Sequence, residues 1–196
     1  MAQFNVSSLI HRLGDRKQAV AADSQDSKKI LYVCTGNIAR SASAQYLSLA
    51  MAGPDSSWTF DSAGVGAVVG APVAPHIDQE LDRRGVDYST HRAKQITQQL
   101  VSEASLILVM EQEHLNWLVH EWPQHRSKIH LLGQVARLRQ QAGRRVDPVA
   151  FMHLHDEAPR KGDGIADPYR KGPEAARVAV EEIEEALKVL IPWLGA

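Results

Sequence analysis

Cys34 and Arg40 are the pair in this sequence best placed to do chemistry together. They bracket Cys34-Thr35-Gly36-Asn37-Ile38-Ala39-Arg40-Ser41, which follows the apolar run Ile30-Leu31-Tyr32-Val33 and leads into a helical pattern. A loop passing from a strand into a helix turns several backbone N–H groups inward at the positive end of the helix dipole, a nest for an anion. Gly36 permits a positive φ, and Asn37 is the next best residue for a left-handed conformation. Arg40, six residues after the cysteine, can fork onto two oxygens of one phosphate. The same field favours negative charge on the Cys34 sulfur. A thiolate beneath a bound phosphate can attack phosphorus and form a cysteinyl-phosphate intermediate. A lone cysteine is ordinarily an inert buried thiol, and Cys with Arg six residues on is a weak pattern alone. Strand, Gly-Asn turn, Arg-Ser pair and helix start occurring together reverse that reading. The Gly-Lys-Ser/Thr ending of an ATP-binding loop is absent, which argues against a nucleoside triphosphatase.

Phosphate-ester cleavage also needs a proton for the leaving group and then a base to activate water, and one carboxyl can do both in succession. Two Asp-Pro pairs offer a carboxyl, Asp147-Pro148 and Asp167-Pro168. Either could be a simple turn former. Only the second is followed by an aromatic residue, Tyr169.

The elements that must position these residues alternate along the chain. Ile30–Val33, Trp58-Thr59-Phe60, Leu106–Val109 and Ile129–Leu132 read as strands, the first as one buried on both faces. Helical patterns run from about Ser41 to Met51, through Ile77 and Leu81 before a capping Gly85, and through Leu115, Leu118 and Val119. The last helix opens at Gly172-Pro173 and repeats Ala176, Val180, Ile183, Leu187 and Leu190 until Pro192. Such alternation predicts an α/β fold, a small doubly wound four-stranded parallel sheet with helices on both faces. Ligands of such sheets bind beyond the carboxyl ends of the strands, where Cys34 falls. Residues 143–166 read as a long loop insertion. Residues 1–28 read as a flexible N-terminal extension, with one short amphipathic helix over Phe4, Val6, Leu9, Ile10 and Leu13, so the domain is expected over 29–196.

The chain has 196 residues, 44% hydrophobic and 23% charged, the usage of one ordinary globular domain. Its net charge of −1 argues against a nucleic-acid partner. No run suits membrane insertion or a signal peptide. A single cysteine precludes an internal disulfide and suits a reducing, cytoplasmic setting. A monomer or weak dimer is expected.

The sequence resembles the low-molecular-weight protein tyrosine phosphatases, whose signature is Cys, five residues, Arg and Ser near the start of a small parallel-sheet domain. The segments Asp61-Ser62-Ala63-Gly64, His91-Arg92-Ala93-Lys94-Gln95-Ile96, Leu106–Met110 and Ile165–Lys171 fall in family order. The stretches Gly64–Gly70 and Asp167-Pro168-Tyr169-Arg170-Lys171 look like the bacterial branch tied to capsule and exopolysaccharide production, whose members dephosphorylate tyrosine autokinases. The resemblance implies Cys34 as nucleophile, Arg40 and the loop residues Thr35, Gly36, Asn37, Ile38 and Ala39 as phosphate binders, and Asp167, rather than Asp147, as acid and base. It implies that Tyr169 flanks the substrate ring, that Ser41 donates to the Cys34 sulfur, and that Asn37, Ser62 and His91 hold the loop in shape. It implies a phosphotyrosine protein, a bacterial tyrosine kinase, as partner, and no cofactor. Protein-arginine phosphatases of the family carry a small polar residue at the position of Ile38, so isoleucine favours an aryl substrate over a guanidinium. Ala39 and Ala42 depart from the family pattern. Ala39 replaces a frequent second cysteine, leaving Cys34 no resolving thiol against overoxidation. The rivals to a tyrosine phosphatase are a phosphoarginine or small aryl-phosphate phosphatase and a catalytically silent phosphotyrosine-binding module.

Blander features complete the reading. His153, His155, Asp156 and Glu157 form only a partial ligand set, so no metal is assigned. Arg137, Arg139, Arg144 and Arg145 read as a solvated face, and Trp117 and Trp122 as helix packing.

Overall fold

A computed structural model describes residues 28–143 and 145–196; the helix expected near the N-terminus and Arg144 lie outside them. Four strands, β1 (Lys29–Cys34), β2 (Thr59–Gly64), β3 (Leu106–Val109) and β4 (Ile129–Leu131), pair in parallel in the order β2-β1-β3-β4. Alternation along each strand divides the core. Ile30, Tyr32, Leu106 and Leu108 pack on one face. Leu31, Val33, Ile107 and Val109 pack on the other. Both faces are therefore apolar, which is why the strands read as continuous hydrophobic runs.

The first face is covered by α1 (Arg40–Ala52), α2 (Ile77–Arg83), α5 (Leu132–Leu138) and the long α7 (Gly172–Leu194), and the second by α3 (Gln98–Glu103) and α4 (Gln112–Glu121). The chain leaves β1 toward β2 on one side and returns to β3 on the other. The switch point lies between β1 and β3, at whose carboxyl ends Cys34 and Met110 sit.

Several expectations need correction. Trp58 precedes β2, and Leu132 belongs to α5 rather than β4. The last helix does not stop at Pro192; it continues to Leu194, and Gly195 closes it in the left-handed conformation at φ 68°. Residues 143–166 are not all loop, because α6 (Pro148–Leu154) lies within them, capped by Asp147, whose carboxylate accepts from Ala150 N at 2.8 Å. Proline at the first helical position and Asp as cap make this Asp-Pro a helix start. Arg137 and Arg139 are not a solvated face: Arg137 pairs with Glu157 and Asp163, and Arg139 lies 5.3 Å from the Trp193 ring centroid. Trp117 and Trp122 pack edge to face at 5.7 Å. No helix among the described residues is long and apolar enough to cross a membrane.

Candidate active site

The loop between β1 and α1 is shaped by where its carbonyls go. Cys34 O, Thr35 O and Gly36 O accept from Val65 N, Gly66 N and Val68 N, each at 3.0 Å. Asn37 O accepts from His91 Nε2 at 2.7 Å, and Ile38 O from Ala74 N at 2.8 Å. Five consecutive carbonyls thus face outward. Since a trans peptide sets N–H opposite C=O, the amides that follow them face inward as a cup. The left-handed residue is Asn37, at φ 55°; Gly36, expected to share that conformation, does not adopt it.

Asn37 is fully buried and spends its whole side chain on the loop. Its Nδ2 donates to Ser41 Oγ at 3.0 Å and Ser62 Oγ at 2.8 Å, while its Oδ1 accepts from Lys94 N at 2.8 Å. Ser62 passes its own proton to Gln45 Oε1 at 2.6 Å. Ser41 Oγ, accepting from Asn37, lies 2.9 Å from Cys34 Sγ and 3.4 Å from Ala63 O, the two acceptors open to its proton. His91 sits edge to face on Tyr46, and burial pushes its pKa down, so the ring is a neutral donor to Asn37 O. The loop is thereby set before any ligand arrives, so little reorganisation is needed when charge develops.

Arg40 is 1% exposed and is held by three groups from elsewhere in the chain. Its Nη1 donates to Glu111 Oε2 at 2.5 Å and to Ile165 O at 2.9 Å, and its Nη2 lies 3.1 Å from Asp167 Oδ1. Its Nε is buried without a hydrogen-bond partner among the described residues, a donor that a phosphoryl oxygen would satisfy. Glu111 and His114 were not singled out in the sequence. His114 Nδ1 accepts from Glu111 N at 3.1 Å, which fixes the tautomer and leaves Nε2–H to donate to Thr35 Oγ1 at 2.9 Å. Burial, with Arg40 nearby, lowers the His114 pKa and keeps it neutral. The signal for both lay in their position just past β3, across the switch point from Cys34.

Cys34, Thr35, Gly36, Ile38, Ala39, Arg40, Asp167 and Tyr169 line one cavity of about 160 Å³, with Gly66 and Val68 across from them. Asn37, Ser41, Ser62 and His91 stand behind it. Every sequence-assigned site residue is therefore in the lining or in the bonded layer beneath. Asp147 is not among them. His153 Nε2 bonds Ser105 O at 2.9 Å and His155 stacks on Phe151 at 5.1 Å; among the described residues no group of three or more His, Cys, Asp or Glu could hold a metal.

The model of one family, described as low molecular weight phosphotyrosine protein phosphatase, matches residues 29–148. The chain belongs to that family. The phosphatase is 34% identical over 169 residues to the probable low molecular weight protein-tyrosine-phosphatase EpsP of Ralstonia nicotianae, covering 86% of this chain and 97% of that one. Among solved structures, the tyrosine phosphatase Wzb from Escherichia coli K30 in complex with sulphate superposes with a TM-score of 0.67 at 28% identity, over 86% of the phosphatase and 99% of Wzb. The YwlE arginine phosphatase from Geobacillus stearothermophilus does so at 0.68 and 27% identity, over 86% and 93%. The fold is thus shared by enzymes named for two different phosphorylated side chains, and the choice between them falls to the lining of the cup.

Proposed function

We propose that this phosphatase hydrolyses phosphotyrosine in proteins, and that its substrate is a bacterial tyrosine autokinase of polysaccharide export. The carrying observation is the single cavity that brings Cys34, Arg40 and Asp167 together under an apolar rim of Ile38, Val68 and Tyr169. An aryl ring gains contact with that rim, whereas the aliphatic side chains of Ile38 and Val68 offer a guanidinium no hydrogen-bond acceptor. The kinase assignment rests on the sequence segments shared with the exopolysaccharide branch and on the likeness to EpsP.

In the proposed reaction the Cys34 sulfur attacks phosphorus as the bond from phosphorus to the phenolic oxygen breaks. Arg40 and the loop amides hold the three remaining phosphoryl oxygens. Asp167 delivers a proton to the departing phenolate. Its carboxylate then takes a proton from water as the water oxygen attacks phosphorus, which breaks the P–S bond and returns thiolate and inorganic phosphate. Asp167 rests against Arg40, so an arriving phosphate takes over that guanidinium nitrogen and frees the carboxyl for the leaving oxygen.

The test is turnover of p-nitrophenyl phosphate and of matched phosphotyrosine and phosphoarginine peptides. Cys34→Ser should abolish turnover while vanadate or sulfate binding survives, and Asp167→Asn should slow it by about two to four orders of magnitude. A preference for phosphoarginine would overturn the substrate, and binding without turnover by the unaltered chain would make it a phosphotyrosine-binding module.

A further inference from the structure

Asp163 is 5% exposed and carries a negative charge four residues before Asp167. Arg137, on α5, holds it with a two-pronged contact: Nε to Oδ1 and Nη2 to Oδ2, each 2.9 Å. Arg160 N adds a third donor to Oδ2 at 2.7 Å. The free corner of the guanidinium, Nη1, reaches Glu157 Oε1 at 2.6 Å, and Arg160 Nη2 reaches the same oxygen at 2.8 Å. The main chain is equally constrained. A Cβ built on Gly133 would stand 2.6 Å from Asp163 O, so α5 meets this segment backbone to backbone. Two residues later Ile165 N donates to Met110 O at 2.7 Å, and Ile165 O accepts from Arg40.

We propose that Arg137 and Asp163 are positioning residues, a clamp that fixes the segment leading to Asp167 so that its carboxyl meets the leaving oxygen. The proposal rests on Asp167 being the general acid. Asp167 itself is half-exposed, and within the described residues its carboxylate bonds only Arg40 and Tyr169 N. Its placement must therefore come from the main chain before it, and that chain has three anchors: Asp163 on α5, Ile165 N on the end of β3, and Ile165 O on Arg40. The last anchor belongs to the phosphate site itself. The Arg137 fork is the side-chain anchor that comes from outside it, and a planar fork fixes orientation as well as distance. Proton delivery tolerates little drift, since misplacement by about 1 Å can cost about a hundredfold.

The residue types also explain why the two charges occur together. A buried carboxylate left alone would be costly, and one that is paired in a fork has a single well-defined geometry. Gly133 is the second half of the device, because any side chain there would force Asp163 away from α5. Arg137→Gln removes the charge and the fork, whereas Gly133→Ala displaces Asp163 and leaves every ionic partner in the chain.

The experiment compares kcat/KM across aryl phosphates whose leaving phenols range from acidic, as in p-nitrophenyl phosphate, to weakly acidic, as in phenyl phosphate. A misplaced acid hurts the poorer leaving groups most, whereas general damage to the site slows all of them by one factor. Arg137→Gln and Gly133→Ala should each lower kcat/KM for phenyl phosphate about tenfold more than for p-nitrophenyl phosphate, with Arg137→Lys between them and the unaltered enzyme. Asp167→Asn is the reference and should show the steepest dependence. A uniform loss in both clamp variants beside a steep Asp167→Asn overturns the clamp alone. A flat Asp167→Asn series overturns the acid assignment, and the clamp with it. If Arg137→Gln does not fold, Gly133→Ala carries the same comparison by itself.

Discussion

At the scale of single residues, the site is organised by what Asn37 does rather than by the nucleophile. Three side-chain hydrogen bonds and one carbonyl bond converge on it, and its φ of 55° lets the loop turn its carbonyls outward. Alanine would keep none of the side-chain bonds and would resist that φ, whereas glycine would accept the φ and lose only the bonds. Asn37→Ala should therefore destabilise the fold by about 3 kcal/mol and Asn37→Gly by about 1 kcal/mol less. Both should lower kcat/KM for p-nitrophenyl phosphate by about a hundredfold, because Ser41 loses the donor that directs its proton to Cys34. Denaturant unfolding and initial rates on the two variants check this, and equal stability of the pair would show that the left-handed turn carries no strain. Asn37 was legible in the sequence because a Gly-Asn turn before Arg-Ser is a local pattern. Glu111 and His114 were not, because their meaning is entirely spatial: they act on Arg40 and Thr35 from residues more than seventy positions away.

At the scale of elements, β2 matters to the site although it contributes no lining side chain from its body. Its last residue, Gly64, lies so close to the loop that a Cβ there would stand 2.4 Å from Thr35 O and 3.0 Å from Asn37 N. Both neighbours are backbone atoms tied into the cup, so neither can give way cheaply. Gly64→Ala should lower kcat/KM at least about tenfold while costing about 1–3 kcal/mol of stability, and a variant with unaltered kinetics would show that the cup is more compliant than its bonding suggests. The strands themselves were legible because both faces of the sheet are covered and the apolar runs are unbroken. Elements with little buried surface were missed. In α3 only Val101 is buried, and in α6 only Pro148 and Met152 are, so neither has an apolar stripe to read. Asp147-Pro148 is a local start signal, but an Asp-Pro pair reads equally as an acid or a turn until the helix after it is seen. Leu132 reads as strand because β4 passes into α5 with no polar residue between them.

At the scale of the whole molecule, the pH range over which the fold persists depends on imidazoles as well as carboxylates. His130, in the edge strand β4, is 2% exposed and its Nε2 donates to Ser127 O at 2.9 Å. Burial, reinforced by the nearby charge of Arg126, pushes its pKa from 6.5 down to about 4. Above the ordinary value both folded and unfolded chains hold a neutral ring, and the residue contributes nothing to pH dependence. As pH falls below about 6.5 the unfolded chain gains a proton that the folded chain refuses until about 4, so stability is lost across that window and levels off beneath it. His91 and His114, whose pKa values are also lowered by burial, act in the same direction. A difference measurement isolates His130. His130→Gln keeps an amide donor for Ser127 O and cannot titrate. Between pH 7 and pH 4.5 the unaltered enzyme should lose about 2 kcal/mol more unfolding free energy than the variant. Paired denaturant titrations at the two pH values measure that gap. An equal loss in both proteins would mean that the ring is already charged in the folded state, and that β4 closes the sheet less tightly than its burial implies.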